Sequence, residues 1–503
     1  MKICKANNII IFGGGTSGWL AAAYLSKNLK FPNKITLIED VSLGPVGVGE
    51  GTQPATARFI FDCGIDPKTW MKPSNAAYKL GVEFDGWTKE KFFVDNDFIE
   101  NTIIGPDLYT PDYFISRPKQ EFFDWLPAYQ LAKENKSPKL AGFDTNYAQT
   151  GYRDLGAVHF AALDIVKSLK DAVGDRIKHI DTKIVNVETN EDGITALVDK
   201  DGNKHSADLY IDCSGFASIL LEKTLKVEFE SITDILPCDR AVAMPKEYTD
   251  PVKECHPYTK STAMSAGWRW TIPIYSRIGN GYVYSSKFIT PEDAEKELRD
   301  TIGEYDAKAN HLTMKCGIHK MVAYKNVMAA GLSAGFVEPL EATGITFTTK
   351  AVEMLTIVLN KNNGIWNQPS RNHINEIYDR MYWEIVAFVW AHYYFSTKRD
   401  TPFWKSIRNQ HSGIIPKKVL DIIDRFASTP SREFFMNPES SFHIGHWFSV
   451  LHAGDVYKDH KPIIEKDIEK YAEYFLQNNT NRVKLIKDMF PNHYEFLKDW
   501  YGN

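Results

Sequence analysis

Residues 13–18 read Gly-Gly-Gly-Thr-Ser-Gly, a G-x-G-x-x-G run between an apolar strand candidate, Asn8-Ile-Ile-Ile-Phe12, and a segment of helical composition, Trp19 to Lys30. Its chemistry is pyrophosphate binding. Gly13 makes the tight turn, Gly15 lets the main chain approach the ligand, and Gly18 packs helix on strand. Thr16 and Ser17 complete the run at a helix N-terminus, where an anion is favoured. A second strand candidate, Lys34 to Glu39, ends on Glu39. That is about 20 residues beyond the run, the place of an acid that accepts from a ribose hydroxyl. The run alone does not choose between FAD and NAD. It occurs once, whereas a flavoprotein that takes hydride from NAD(P)H often carries two such units, so reducing equivalents are expected as reduced flavin from elsewhere.

These residues must be positioned by a sheet. Strand, glycine turn, helix and strand in the first forty residues make a βαβ unit. Gly44 to Thr52 follows as a second glycine-dense loop with no strand feeding it, small enough in side chain to lie against a flat ligand; Gly49 and Glu50 fall there. Ala207 to Gly215 reads as a buried strand ending in a small-residue turn, which places Asp212 at the carboxyl edge of the sheet. Val327 to Ile345 gives a strand, a turn containing Gly335 and a loop, and Thr346 to Leu359 runs on as a helix. Three such junctions suit one sheet wrapping one extended cofactor. The expectation is an α/β dinucleotide-binding fold over 1–360, with an inserted antiparallel sheet at about 230–325 and a mainly helical region over 361–503. In Gly267-Trp268-Arg269-Trp270-Thr271-Ile272-Pro273, alternate spacing puts both indoles on one face if the segment is a strand, as a core pair or as a bulky wall.

Composition is that of an ordinary globular protein: 503 residues, 43% hydrophobic, 13% aromatic, 24% charged, net charge −5. Length alone suggests about three domains. There is no overall basic field for nucleic acid. The six cysteines form no CxxC pair and no zinc spacing, which points to free thiols in a reducing compartment and to no metal. Glycines cut the first apolar run too early for a signal peptide, and no stretch of 18 apolar residues spans a membrane, so a soluble cytoplasmic protein is expected.

Seven segments together resemble the tryptophan halogenase family of flavin-dependent halogenases. They are Gly13 to Trp19, Val48-Gly-Glu-Gly-Thr52, Tyr78-Lys-Leu-Gly81, Asp212-Cys-Ser-Gly-Phe216, Trp268-Arg-Trp-Thr-Ile-Pro273, Gly335 to Ile345, and Arg399-Asp-Thr-Pro-Phe-Trp404, in family order. The resemblance implies a glutathione-reductase/hydroxylase-like FAD fold. It implies that FADH2, supplied by a separate NAD(P)H-dependent flavin reductase, reacts with O2 to a flavin C4a-hydroperoxide. Halide (chloride, bromide or iodide) is then oxidised to hypohalous acid and carried to a lysine beside a small aromatic substrate.

Lys79 matches that lysine, although taken alone it reads as a solvated helix residue. Glu341 matches the carboxylate that polarises the halogenating agent and removes the ring proton; its apolar neighbours make a partner such as Lys79 expected. Thr343 and Gly344 match the halide-binding main-chain groups, at the start of the helix after Gly344. Trp268, Trp270, Ile272 and Pro273 match the wall between flavin and substrate. Ile345 and Gly335 join the cofactor set. Ala342 stands where the family usually has Ser, a less polar neighbour that suggests a shift toward bromide or iodide. The Ser441 to Gly454 segment keeps only part of the tryptophan-specific pattern, so an indole or phenol held by His392, Phe442 and Trp447 is at least as well supported as free tryptophan. The alternatives are a flavin-dependent aromatic hydroxylase, disfavoured by Gly331-Leu-Ser-Ala334 where such enzymes carry Gly-Asp, and a non-catalytic flavin-binding protein. The sequence leaves homo-oligomerisation open.

Overall fold

The computed structural model describes residues 4–43, 49–96, 110–115, 117–139, 156–428, 441–461 and 487–502, with isolated positions between 470 and 484. Of the second glycine-rich loop, residues 44–48 lie outside this set. Two interleaved units emerge: Met1–Asn75, Phe160–Ile232 and Met314–Tyr382 in the first, Ala76–His159, Thr233–Thr313 and Trp383–Asn503 in the second. This corrects the expected division at 360 with one insertion. Ala76–His159 leaves the cofactor unit early, a crossing that no composition shift marks.

The first unit is built on a six-stranded sheet in the order Ala323–Tyr324, Val327–Ala329, Leu209–Asp212, Asn8–Phe12, Lys34–Glu39, Lys178–Asp181. All its pairings are parallel except that of the edge strand Ala323–Tyr324 with Val327–Ala329. Strands covered on both faces need continuous apolar runs, and Ile9, Ile10, Ile11 and Phe12 are all buried. The helix Thr16–Asn28 follows the glycine turn, and a 19-residue helix, Thr343–Lys361, packs against it. That second helix starts three residues before the Thr346 expected from sequence, so Thr343 and Gly344 are its first residues rather than a preceding loop.

The second unit holds a seven-stranded sheet in the order Asn310–Thr313, Arg240–Lys246, Arg277–Tyr284, Gly267–Ile274, Thr259–Met264, Gly81–Asp85, Phe92–Asp95. The expected inserted sheet is therefore neither wholly inserted nor wholly antiparallel. Gly81–Asp85 and Phe92–Asp95 come from the early segment, and Gly81–Asp85 pairs parallel with Thr259–Met264. The helices of the carboxyl region in this unit include Pro402–Arg408, Lys417–Ser428, Ile444–Ala453 and His493–Tyr501. Among the described residues no helix is long and apolar enough to cross a membrane.

Candidate active site

In the first unit the glycine turn is fixed by close approach. Gly13 has φ +115°, and a Cβ there would lie 2.3 Å from the Cys213 carbonyl oxygen. A Cβ on Gly18 would lie 1.8 Å from the Gly13 carbonyl oxygen, which is the helix-on-turn contact expected of it. Gly15 differs: a Cβ there would meet nothing within 4 Å. At Gly215, in the turn after the Leu209–Asp212 strand, the space is likewise open. These open faces at the carboxyl ends of adjacent parallel strands fit the pyrophosphate of a dinucleotide, so the residues present suit FAD. Gly18→Ala is expected to cost about 1–3 kcal/mol of stability through overpacking. It should also lower FAD affinity by more than tenfold, as read by flavin fluorescence titration.

Glu39 is buried at the end of its strand, with one carboxylate oxygen accepting from Lys170 Nζ and His179 Nε2, each at 2.9 Å. That oxygen is engaged within the chain. The other lies against Gly14, where a Cβ would sit 1.6 Å from Oε2, so Gly14, given no role from sequence, makes room for the acid. Asp212 is fully buried, and its carboxylate accepts from Ser214 N–H and Oγ and from the N–H groups of Leu220 and Leu221. It holds its own turn from inside. Ser17 Oγ shares a 2.8 Å hydrogen bond with Thr348 Oγ1, joining the first turn of the Thr16–Asn28 helix to the Thr343–Lys361 helix. Gly335 pairs with Ile318 in a three-stranded sheet, and Ile345 is buried in the long helix. Gly49 and Glu50 lie in a short strand, Gly49–Gly51.

Glu341 closes a 3₁₀ turn, Pro339–Glu341, and it and Glu338 are 2% and 1% exposed. Ala342 follows in the left-handed region at φ 56° and stands at the N-cap of the Thr343–Lys361 helix without a side-chain capping bond. Ser, Thr, Asp or Asn would ordinarily cap these donors. Here the first-turn N–H groups of Thr343 and Gly344 have no side-chain cap, and the buried Thr343 Oγ1 has no hydrogen-bond partner among the described residues. A helix N-terminus with donors left in this state is suited to an anion.

In the second unit Lys79 ends the strand Ala77–Lys79 and is 3% exposed, in place of the solvated helix position its type suggests. Its strand pairs antiparallel with the strand that begins at Ala157, Lys79 opposite Ala157 and Ala77 opposite His159. His159 is fully buried. Its Nδ1–H donates to the Pro273 carbonyl at 3.0 Å, so its Nε2 accepts from Thr259 Oγ1 at 2.8 Å. Burial first, and then the Lys79 charge, hold its pKa well below the usual histidine value. This ring ties the lysine's sheet to the Trp-x-Trp-x-Ile-Pro strand.

That strand, Gly267–Ile274, places Trp268, Trp270 and Ile272 on one face, the indoles 6.2 Å apart, with Pro273 on the other. Gly281 pairs with Trp270, and a Cβ there would lie 1.9 Å from the indole, so the neighbouring strand needs a glycine for the ring to lie across it. The turn beside it is held by Arg399 to the Ala263 carbonyl (2.8 Å), Thr401 to Ser265 (2.6 Å) and Trp404 to Met264 (2.8 Å).

His392, Phe442 and Trp447 converge on Phe388. Trp447 is stacked on Phe426 with centroids 4.0 Å apart, and Phe442 on Phe388 at the same distance, so their faces are engaged with protein rings. Phe442 and Trp447 thus each lay one face on another ring within the helical layer. Beside them Asp95, His443 and His446 offer three ligand atoms within 4.8 Å of one another. However, His443 Nδ1 accepts the Gly445 N–H and His446 Nδ1 accepts the His443 N–H, which puts the proton of each neutral ring on Nε2. His446 also bonds the Asp95 main chain. Neither ring presents a lone pair to a cation; they cap the Ile444–Ala453 helix and tie it to Phe92–Asp95.

The structure thus joins Lys79 and the tryptophan strand in one unit, and the glycine turn, Glu341 and the Thr343–Gly344 turn in the other. Gly14, His159 and Gly281 were not singled out from sequence, because only the folded chain shows what lies against them.

A family model described as tryptophan halogenase matches residues 8–467. The 7-chloro-L-tryptophan 6-halogenase KtzR of Kutzneria sp. (strain 744) is 32% identical, over 98% of this chain and 99% of its own. The crystal structure of the tryptophan 6-halogenase SttH of Streptomyces toxytricini is similar with TM-score 0.85 at 29% identity, over 98% of this chain and 99% of its own. BrvH, a flavin-dependent halogenase of Brevundimonas sp. BAL3, gives TM-score 0.84 at 26% identity over 99% of each chain. With that match running through the glycine turn, the buried lysine and the tryptophan strand alike, the chain belongs to the tryptophan halogenase family and is a flavin-dependent halogenase.

Proposed function

We propose that the enzyme halogenates an electron-rich indole or phenol using FADH2 from a separate NAD(P)H-dependent reductase, O2 and halide, with Lys79 and Glu341 as its catalytic residues. The observation that carries this reading is the burial of Lys79 in the unit that also holds the tryptophan strand. A lysine is kept from water at such a position only at a cost, which a task at that place explains.

Gly13, Gly15, Thr16, Ser17, Gly18, Gly49, Glu50, Gly335 and Ile345 would hold FAD, with Glu39 and Asp212 shaping the turns beside it. Reduced FAD, when bound, supplies the two-electron chemistry by which O2 oxidises halide to hypohalous acid. The uncapped N–H groups of Thr343 and Gly344 hold halide by charge and hydrogen bonding. Trp268, Trp270 and Ile272 keep the aromatic substrate apart from the cofactor, with Pro273 on the other face of the same strand. The Lys79 amine holds the halogen equivalent against one ring carbon, as a hydrogen-bonded hypohalous acid or as an N-halo species formed with loss of water. The ring attacks the halogen, and Glu341 accepts the proton from the resulting cation. Glu341→Gln is expected to reduce product formation about 10²–10³-fold, within the range of general-base work. Glu338→Gln should stay within about threefold, since no proton passes through it.

The test supplies reductase, NADH, O2 and each halide with a panel of indoles, phenols and free L-tryptophan, and reads halogen mass gain. Hydroxylated product in place of halogenated product would sink the reading. With equimolar chloride, bromide and iodide, the Ala342 cap is expected to favour bromide or iodide, because a cap residue without a hydroxyl leaves a less polar space that suits a larger, more weakly hydrated anion. A chloride-dominated product would overturn that part.

A further inference from the structure

Gln53 is the N-cap residue of the helix Pro54–Asp62, directly after the Gly49–Gly51 strand, and is 8% exposed. A polar amide so buried must satisfy both its ends within the protein. It does so across nearly 300 residues of sequence. Its Nε2 donates to the Glu341 carbonyl at 3.4 Å, and its Oε1 accepts from Thr346 Oγ1 at 3.2 Å. These partners stand on either side of Ala342, Thr343 and Gly344, so the amide spans the turn whose N–H groups are uncapped.

We propose that Gln53 is a positioning residue for halide: its amide fixes the Glu341–Ala342 peptide and the first turn of the Thr343–Lys361 helix, and so sets halide affinity. The physical reason is local. Ala342 sits in the left-handed region, which is unfavourable for a non-glycine residue and persists only where the surroundings fix it. A peptide carbonyl close to an anion site is repulsive unless it is turned away. Gln53 gives the Glu341 carbonyl a donor, which holds that oxygen away from the adjacent N–H groups, while Thr346 anchors the other end of the amide one helical turn on. The same bonds link the segment after Gly49–Gly51 to the turn that carries Glu341.

The inference rests on the halogenase reading of the Thr343–Gly344 turn, and two readouts keep the two separable. One is the bromide KM and kcat for product; the other is anomalous scattering from bromide in crystals soaked below saturation, which needs no turnover. Gln53→Met keeps the length and removes both hydrogen bonds. It is expected to raise bromide KM about tenfold, the order of one to two lost hydrogen bonds, with kcat at saturating bromide within about twofold and bromide occupancy at Thr343–Gly344 reduced. Thr346→Val removes one bond with little change of shape and should raise KM about threefold. Gln53→Glu keeps the acceptor for Thr346 but loses the donor and adds a negative charge. Its bromide KM should exceed that of Gln53→Met at neutral pH and fall as the pH is lowered and the carboxyl takes up a proton, a dependence that mere packing would not create. Unchanged bromide KM and occupancy in Gln53→Met and Thr346→Val, or a fall in kcat alone, overturns the proposal. If Gln53→Met does not fold, Thr346→Val and Gln53→Glu decide it. If the parent yields no halogenated product, the halogenase reading fails, and the bromide occupancies still decide the role of Gln53.

Discussion

Lys79→Met is expected to lower halogenated product by about 10³-fold or more while FAD binding and reoxidation of reduced flavin continue. A positioned proton-transfer or electrophile-holding group is typically worth up to about 10⁴-fold, and no water replaces it at a site 3% exposed. Methionine preserves the length of the stem, so packing in the strand Ala77–Lys79 is kept. Lys79→Ala should lose product equally and serves to show that the loss does not come from the methionine thioether. Lys79→Arg separates the two ways of holding halogen. Guanidinium donates hydrogen bonds but is always protonated, so it cannot become an N-halo amine. Activity near the parent's in Lys79→Arg assigns a hydrogen-bonding role, and loss as deep as in Lys79→Met assigns the amine. Product from Lys79→Met at the parent's rate would remove Lys79 from the mechanism.

The second expectation concerns acid. Burial holds the pKa of His443, His452 and His493 at about 4, and those of His159 and His446 well below the ordinary 6.5. All five lie in the second unit. Their folded pKa values are depressed, so above pH 6.5 both folded and unfolded states are neutral at these rings and stability is fully present. As pH falls below 6.5 the unfolded chain takes up protons that the folded chain refuses, and stability drops by about 1.4 kcal/mol per pH unit for each histidine until the folded pKa is reached. Between pH 6.5 and 5.5 His443, His452 and His493 lose about 1 kcal/mol each, roughly 3 kcal/mol together, a large share of the stability of an ordinary domain, and His159 and His446 act in the same direction. Calorimetry across pH 7.5 to 5.5 should show a steep fall in the Tm of the transition that carries the tryptophan strand. His452 stacks on Phe448 at 4.9 Å, and its Nε2 has no hydrogen-bond partner among the described residues. His452→Phe should therefore reduce the loss between pH 6.5 and 5.5 by about 1 kcal/mol and leave the neutral-pH Tm near the parent's. A Tm independent of pH in this window would overturn the assignment.

Local chemistry is what the sequence determined by itself. A turn that must bind a pyrophosphate needs glycine at fixed offsets, and strands buried on both faces need unbroken apolar runs, so both strands of the βαβ unit were readable to the residue, Asn8–Phe12 and Lys34–Glu39, while its helix begins at Thr16, three residues before the expected Trp19. Period-two alternation likewise placed the Trp268 and Trp270 indoles on one face. What depends on neighbours distant in the chain was decided only by the tertiary structure. Lys79 is surface-like by type and is buried because the strands around it come from residues 77–95, 157–159 and 259–284. The rings of Phe442 and Trp447 are covered by Phe388 and Phe426, contacts that no spacing encodes. Gln53 gains its meaning only when the Glu341 carbonyl and the Thr346 hydroxyl arrive beside it. Backbone geometry and side-chain period act over a few residues and are written in them, whereas burial, hydrogen-bond satisfaction and pKa belong to surroundings that exist only once the chain has folded.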